Sequence, residues 1–202
     1  LKYISIYCMK KIYFFDLDGT VTNEEILPKI AQRFNFKKKM AKLTRSAMAG
    51  DIPFEDSFRF RHKMLSKFNL NEIKNVVSKV SLNKVIVKYI NNNLHNCKIV
   101  TGNLDEWIYP LTKKIKCKFY TSTSNNKGKN LQYIMNKSDV VKKFKGYKRI
   151  FIGDGYNDVS AFRNCEIKIA YGKVHYPPDV LMNICDYYLS DEKKLCQLLE
   201  QL

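Results

Sequence analysis

Two acidic residues placed directly after an apolar run constrain this chain more than any other feature. Asp16 and Asp18 follow the run 12–15 and precede Gly19-Thr20. Such a run is typical of a buried strand in a parallel sheet, whose ligands bind beyond the carboxyl ends of the strands. Two carboxylates there are costly unless a positive charge lies between them, and a metal ion is the usual one. The alternative interpretation is a strand followed by an ordinary acidic turn.

The bulk composition is that of a globular protein without a membrane segment. With 202 residues, of which 45% are hydrophobic and 27% charged, the chain suits one domain, or one domain with an insertion. No stretch is apolar enough to span a bilayer, and the first residues lack a signal-peptide cleavage pattern. We therefore predict a cytoplasmic protein without a membrane partner. Leu1 and Met9 remain alternatives for the natural start, and the oligomeric state stays open.

The cysteines favour free thiols in a reducing compartment. They are scattered, and no two of them form a C-x-x-C pair. The six are Cys8, Cys97, Cys117, Cys165, Cys185 and Cys196. A zinc site is not expected, because His62, His95 and His175 show no ligand spacing with them.

The formal net charge of +17 raises the question of a nucleic-acid partner. The lysines are spread along the whole chain together with many Asn, Ile and Tyr residues, which indicates a general compositional bias. The dense cluster 37–39 fits a solvated helix face. We expect no specific nucleic acid, and a positive field that attracts small anions. A basic nucleic-acid-binding protein remains the alternative from another class.

Helical patterns fill the chain from Thr20 to about residue 95. Asn23 is expected to cap the first helix, Gly50 to end the second, and Pro53 to open the third. The second, fourth and fifth helices are predicted at 38–49, 71–80 and 83–94.

Strands and helices alternate after this helical block. The strands are predicted at 98–100, 117–121, 148–152, 166–170 and 186–189, and the helices at 104–115, 128–136, 157–163 and from Asp191 onward. This alternation predicts an α/β fold with a Rossmann-like parallel sheet. We predict a core formed by 1–21 and 82–202, with a small α-helical cap inserted at 22–81.

Three further segments carry residues suited to phosphate chemistry. Thr101 follows a strand and offers a hydroxyl to phosphate oxygens, and Lys127-Gly128-Lys129 is expected to open a helix and neutralise phosphate charge. Asp154 and Asp158 follow another strand and add oxygen ligands of the kind that Mg²⁺ takes beside Asp16. One acid is then free to act as nucleophile, and a second as general acid and base.

These motifs together resemble the haloacid dehalogenase-like (HAD) superfamily of phosphatases. The segment 16–20 is similar to its first motif, Thr101 to its second, Lys127 or Lys129 to its third, and 153–158 to its fourth. The resemblance implies Asp16 as the nucleophile that forms an aspartyl-phosphate and Asp18 as general acid and base. It also implies Mg²⁺ held by Asp16, the Asp18 carbonyl and Asp154, with Asp158 in support.

The helical insertion resembles the cap of phosphoserine phosphatases. In that family a Glu after the first motif binds the substrate ammonium group and a cap Arg binds its carboxylate, and Glu25 and Arg61 match these positions. Met48 and Phe54 match apolar residues of the pocket. A zwitterion in a closed pocket needs such an acid and such a cation. The alternative interpretation is a helix-face acid and a surface cation.

Two details of the resemblance remain open. Lys127 is preferred to Lys129 because Lys127-Gly128 fits the Lys-Gly that opens this helix in phosphoserine phosphatases. The second motif reads Thr101-Gly102-Asn103, where that family usually has Ser-Gly-Gly, so Asn103 suggests a hydrogen bond to a different substrate.

The predicted function is Mg²⁺-dependent hydrolysis of a small phosphate monoester, with phosphoserine as the leading substrate. Gly102, Asn103 and Asn157 are expected to border that substrate. A phosphatase for another small metabolite, such as a sugar phosphate, is the alternative within the enzyme class.

Overall fold

A seven-stranded sheet forms the centre of the molecule in the computed structural model, which describes residues 9–202. The segment 1–8, which contains Cys8 and the alternative start Leu1, lies outside the described residues. The strands are β1 (Lys11–Phe15), β2 (Cys97–Leu104), β3 (Lys118–Asn125), β4 (Asn130–Tyr133), β5 (Lys148–Gly153), β6 (Ile167–Tyr171) and β7 (Tyr187–Leu189). Their order is β4-β3-β2-β1-β5-β6-β7, and only β3 and β4 pair antiparallel. The predicted α/β class is confirmed.

The central strand β1 is buried on both faces, as its continuous apolar sequence requires. Ile12 and Phe14 belong to the apolar cluster on one face of the sheet, and Tyr13 and Phe15 to the cluster on the other. This alternation follows from the two-residue period of a strand. The chain beyond Phe15 therefore leaves the sheet at a rigid, buried point.

Ten α-helices cover the sheet and fill the insertion within the described residues. They are α1 (Ile26–Arg33), α2 (Lys37–Ala49), α3 (Phe54–Leu65), α4 (Leu70–Ser78), α5 (Lys84–Asn92), α6 (Asp105–Thr112), α7 (Lys137–Lys142), α8 (Val159–Phe162), α9 (Asp179–Met182) and α10 (Glu192–Gln201). Helix α1 packs against α2 and α4, and α2 against α3, whereas α5 packs against α10. None of these helices has the length and apolar character needed to cross a membrane.

The two chain segments that flank α1–α4 lie side by side. Thr22 and Leu82 form an antiparallel bridge, and the backbone N–H of Asn83 donates to the carbonyl of Val21 at 2.9 Å. Such a paired entrance and exit suits an inserted cap. The boundaries at 22 and 81 remain a prediction.

The prediction of a helix at 128–136 is wrong. β3 and β4 form a hairpin there, and Asn126, Lys127 and Gly128 turn the chain with φ values of 49°, 56° and 82°. Positive φ values are typical of tight hairpin turns and incompatible with a helix. The helix that follows, α7, begins instead at Lys137, after Asn136, whose side chain accepts from the Ser138 N–H at 3.0 Å.

Most of the other local predictions agree with the structure. Gly50 ends α2 in the left-handed conformation, and Pro53 precedes α3. The first helix differs: Glu25 holds its N-cap position, whereas the Asn23 side chain donates to Ser81 Oγ at 2.9 Å. The cysteines of the described chain are all free, as predicted.

Candidate active site

The carboxyl edge of the sheet gathers the acids that the sequence singled out. Asp16 follows β1, Asp154 and Asp158 follow β5, and Thr101 lies near the end of β2. The register of β2 against β3 shifts between Val100 and Leu104, which frees this segment from regular pairing. All these positions meet because the strands are parallel, so that their carboxyl ends share one edge.

Lys137 is the cation at the centre of this cluster. Its Nζ lies 2.7 Å from Asp16 Oδ1 and 2.6 Å from Asp158 Oδ1, with all three side chains buried. Burial alone would lower the pKa of Lys137, but the charges of Asp158 and Asp16 outweigh it and raise that pKa above its usual value. The lysine is therefore a permanent positive charge that pins one oxygen of Asp16.

Ser122 helps to place this lysine. Its hydroxyl donates to the Gly102 carbonyl at 2.7 Å and accepts from the Met135 N–H at 3.0 Å. The loop that leads to Lys137 is thereby tied to the end of β2. The amine reaches the acids from the N-terminal turn of α7, on a capped helix rather than on a mobile loop.

Three carboxylates form a group that can hold a metal ion. Asp16, Asp154 and Asp158 each place an oxygen within 4.8 Å of the others. Burial, and next the charge of Asp16, raise the pKa of Asp154 well above its ordinary value. Asp154 Oδ2 is buried and has no hydrogen-bond partner among the described residues. A buried orphan oxygen beside a second acid is what a bound cation would satisfy.

Asp158 has a different position in this group. Its Oδ1 accepts from Lys137, and its Oδ2 accepts from the N–H groups of Asp154 at 3.1 Å and Gly155 at 3.0 Å. Both oxygens are thus already engaged. The oxygens left for a cation belong to Asp16 and Asp154.

Asp18 lies in the turn after β1, and each of its carboxylate oxygens accepts a hydrogen bond. Oδ1 accepts from the Ile26 N–H at 2.8 Å, and Oδ2 accepts from Asn103 Nδ2, which also donates to Thr101 Oγ1 at 3.1 Å. Burial, and next the charge of Glu25, raise the pKa of Asp18 to about 7. A carboxyl group with such a pKa can both give and take a proton near neutrality.

A small cavity opens above these acids. It brings together most of the predicted site residues. They are Asp16, Asp18, Glu25, Met48, Phe54, Arg61, Thr101, Gly102, Asn103, Asp154 and Asn157.

Arg61 brings a buried positive charge into this cavity from α3. Its Nε donates to the Ser57 carbonyl at 3.2 Å and its Nη1 to Thr44 Oγ1 at 3.3 Å, whereas Nη2 is buried without a partner in the described chain. Burial lowers the pKa of Arg61 to about 10. A desolvated guanidinium with a spare donor favours an anionic ligand group.

The structure does not bring Lys127 or Lys129 to the site. Both are exposed at the hairpin between β3 and β4, and Lys137 occupies the place predicted for Lys127. A Lys-Gly pair at a supposed helix start misled the prediction, because the same residues also favour a tight turn. Asn136 before Lys137 is the N-cap signal that could have identified the correct lysine.

Like Lys137, His175 lies at the site although the sequence did not predict it there. It lies between β6 and α9, and its Nε2 is 3.1 Å from Glu25 Oε1. The contact with Glu25 raises the pKa of His175. The end of β6 at the same sheet edge was the available signal.

Known proteins similar to this chain include several phosphoserine phosphatases. The enzyme of Methanocaldococcus jannaschii is 23% identical to this chain, and the match covers 80% of this chain and 85% of that enzyme. The enzyme of Mus musculus is 25% identical, and the match covers 97% of this chain and 96% of that enzyme. A substrate-bound phosphoserine phosphatase structure superposes with a TM-score of 0.81 at 21% identity, covering 96% of this chain and 98% of that one. No family model matches the chain.

Replacing Lys137 by Met should lower the free energy of unfolding by about 3–5 kcal/mol, because Asp16 and Asp158 would remain buried without their cation. Lys127→Met is the matched control and should stay within ~0.5 kcal/mol, since that side chain is exposed. Urea denaturation of the metal-free protein measures both. Equal small effects would contradict the assigned position of Lys137.

Proposed function

We infer that this chain is a phosphoric monoester hydrolase of the HAD superfamily, similar to phosphoserine phosphatases in sequence and in fold. The observation that carries this inference is the geometry of Asp16. One of its oxygens is pinned by Lys137, and the residue lines a cavity beside an acid with a pKa of about 7. A fixed carboxylate beside a proton donor is what covalent phosphoryl transfer requires.

The proposed reaction has two displacements at phosphorus. Asp16 attacks the phosphorus atom, and the bond to the leaving oxygen breaks while Asp18 donates a proton to that oxygen. Asp18 then removes a proton from water, the water oxygen attacks the aspartyl-phosphate, and the bond to Asp16 breaks to release inorganic phosphate. The Thr101 hydroxyl, with the backbone N–H groups beside it, would hold the phosphoryl oxygens, and Lys137 would offset their charge.

Mg²⁺ fits the acids of this site. Asp16, Asp154 and the Asp18 carbonyl would hold the ion, and Asp158 would orient the loop through the N–H groups of Asp154 and Gly155. The bound ion would neutralise charge on the phosphoryl group and on the buried carboxylates. The unsatisfied Asp154 Oδ2 supports this proposal.

Phosphoserine is the proposed substrate. Its carboxylate would take the free donor of Arg61 and its ammonium group would face Glu25, with Met48 and Phe54 as the apolar wall. We revise one predicted role, because Asn103 donates to Asp18 and Thr101. Asn103 is thus better suited to orienting the proton donor than to contacting the substrate directly.

Substituting Asn for Asp16 should reduce hydrolysis of a phosphate ester by on the order of 10³-fold or more, because an amide is a far weaker nucleophile than a carboxylate. Asp179→Asn, at an exposed acid at the start of α9, is the control and should retain wild-type activity. Phosphate release under saturating substrate is the measurement. Undiminished activity of Asp16→Asn, together with tight salt-sensitive binding to DNA or RNA, would favour the nucleic-acid alternative.

Removing divalent cations with a chelator should abolish turnover, and added Mg²⁺ should restore it. Asp154→Asn should weaken Mg²⁺ binding roughly 10-fold or more, since it removes one charged ligand. Calorimetric titration of the apo protein with Mg²⁺ reports binding independently of turnover. Full activity after chelation would overturn the proposed metal dependence.

Arg61→Ala should raise KM for phosphoserine roughly 30-fold, as expected when one side of a buried charge pair is lost at ~2 kcal/mol. Hydrolysis of 4-nitrophenyl phosphate, which has no carboxylate, should change little. Arg59→Ala, at an exposed arginine of the same helix, is the matched control.

A screen of phosphorylated metabolites completes this test of the substrate. A preference for phosphoserine that Arg61→Ala removes would support the proposal. A preference for sugar phosphates would refute phosphoserine as the substrate and leave the phosphoryl chemistry intact.

A further inference from the structure

His175 and Glu25 form a contact between two ionisable side chains at the edge of the cavity. Nε2 of His175 and Oε1 of Glu25 lie 3.1 Å apart, and both atoms are shielded from solvent. The two atoms are within ion-pair distance, yet neither forms a hydrogen bond of regular geometry with any group among residues 9–202, including the other of the pair. Because a buried polar atom without a partner is costly, these two atoms are each other's natural partners.

The cavity holds one further feature that this contact explains. Glu25 and Arg61 both line it, yet no ion pair joins them in the described part of the chain, and Arg61 Nη2 stays unpaired. A flexible acid and a desolvated cation in one cavity attract each other strongly. Glu25 is instead in contact with His175, which opposes this attraction.

The position of His175 in the fold allows it to hold the Glu25 side chain in place. It belongs to the sheet side of the molecule, between β6 and α9, whereas Glu25 stands at the N-cap of α1 and Arg61 on α3. Contact with His175 engages Oε1 of Glu25 and leaves the second oxygen for a ligand. The imidazole thus anchors the acid from the side of the sheet.

We propose that His175 is a positioning residue that holds Glu25 apart from Arg61, so that acid and cation stay free for the two opposite charges of a zwitterionic phosphate ester. This inference rests on the proposed function, because it assumes that Glu25 receives an ammonium group. It makes His175 a determinant of specificity without a part in phosphoryl transfer.

The test compares two substrates in three variants. His175→Ala should raise KM for phosphoserine roughly 10-fold and leave kcat nearly unchanged, because only the placement of Glu25 is lost. His175→Gln should restore KM to within about threefold, since its side-chain amide can donate from a similar position. KM for 4-nitrophenyl phosphate, which lacks both charges, should stay unchanged in each variant. His95→Ala, at an exposed histidine, is the control.

Each other outcome has a definite meaning. An equal rise of KM for both esters, or a fall of kcat for both, would indicate a merely structural role and overturn the inference. Unchanged kinetics in His175→Ala would also overturn it while leaving the proposed function intact. A wild-type enzyme that hydrolyses 4-nitrophenyl phosphate but shows no preference for phosphoserine would refute the proposed substrate and this inference together.

Discussion

The ion pairs between Lys137 and the acids Asp16 and Asp158 are the interaction on which the rest of this site depends. Several carboxylates share a small volume at the sheet edge, where desolvation and mutual repulsion oppose their ionisation. A buried lysine offsets part of this cost and fixes the geometry at the same time. It also links the ends of β1 and β5 through one side chain.

Two parts of the chain supply different groups for the proposed reaction. The strand ends and the start of α7 supply the groups for phosphoryl transfer, and helices α1–α3 supply those that would recognise the rest of the substrate. The two parts meet closely at Gly102, where a Cβ atom would lie 2.1 Å from Cζ of Phe54. Glycine at this position therefore lets the aromatic wall of the cavity approach the phosphate-binding segment.

Local sequence patterns were sufficient to predict much of the fold and of the candidate site. β1, the acids after it and the segment 153–158 follow directly from apolar runs and strand-end residues, because strand burial and sheet polarity act over a few residues. The hairpin at 118–133 could not be predicted from local sequence patterns. Lys127-Gly128 satisfies both a helix start and a tight turn, and the choice is made by pairing between β3 and β4.

By itself the sequence determined the α/β class, the order of the motifs and the identity of the acids, since each rests on neighbouring residues. Only the tertiary structure decided that Lys137 is the cation between Asp16 and Asp158, that Asn103 holds Asp18, and that His175 meets Glu25. These are contacts between residues far apart in the chain, and their partners are selected by where strand ends and helix starts converge. The chemistry of Asp16 and Asp18 follows from the residues around them in the sequence, whereas the groups that position them are brought to the site by the fold.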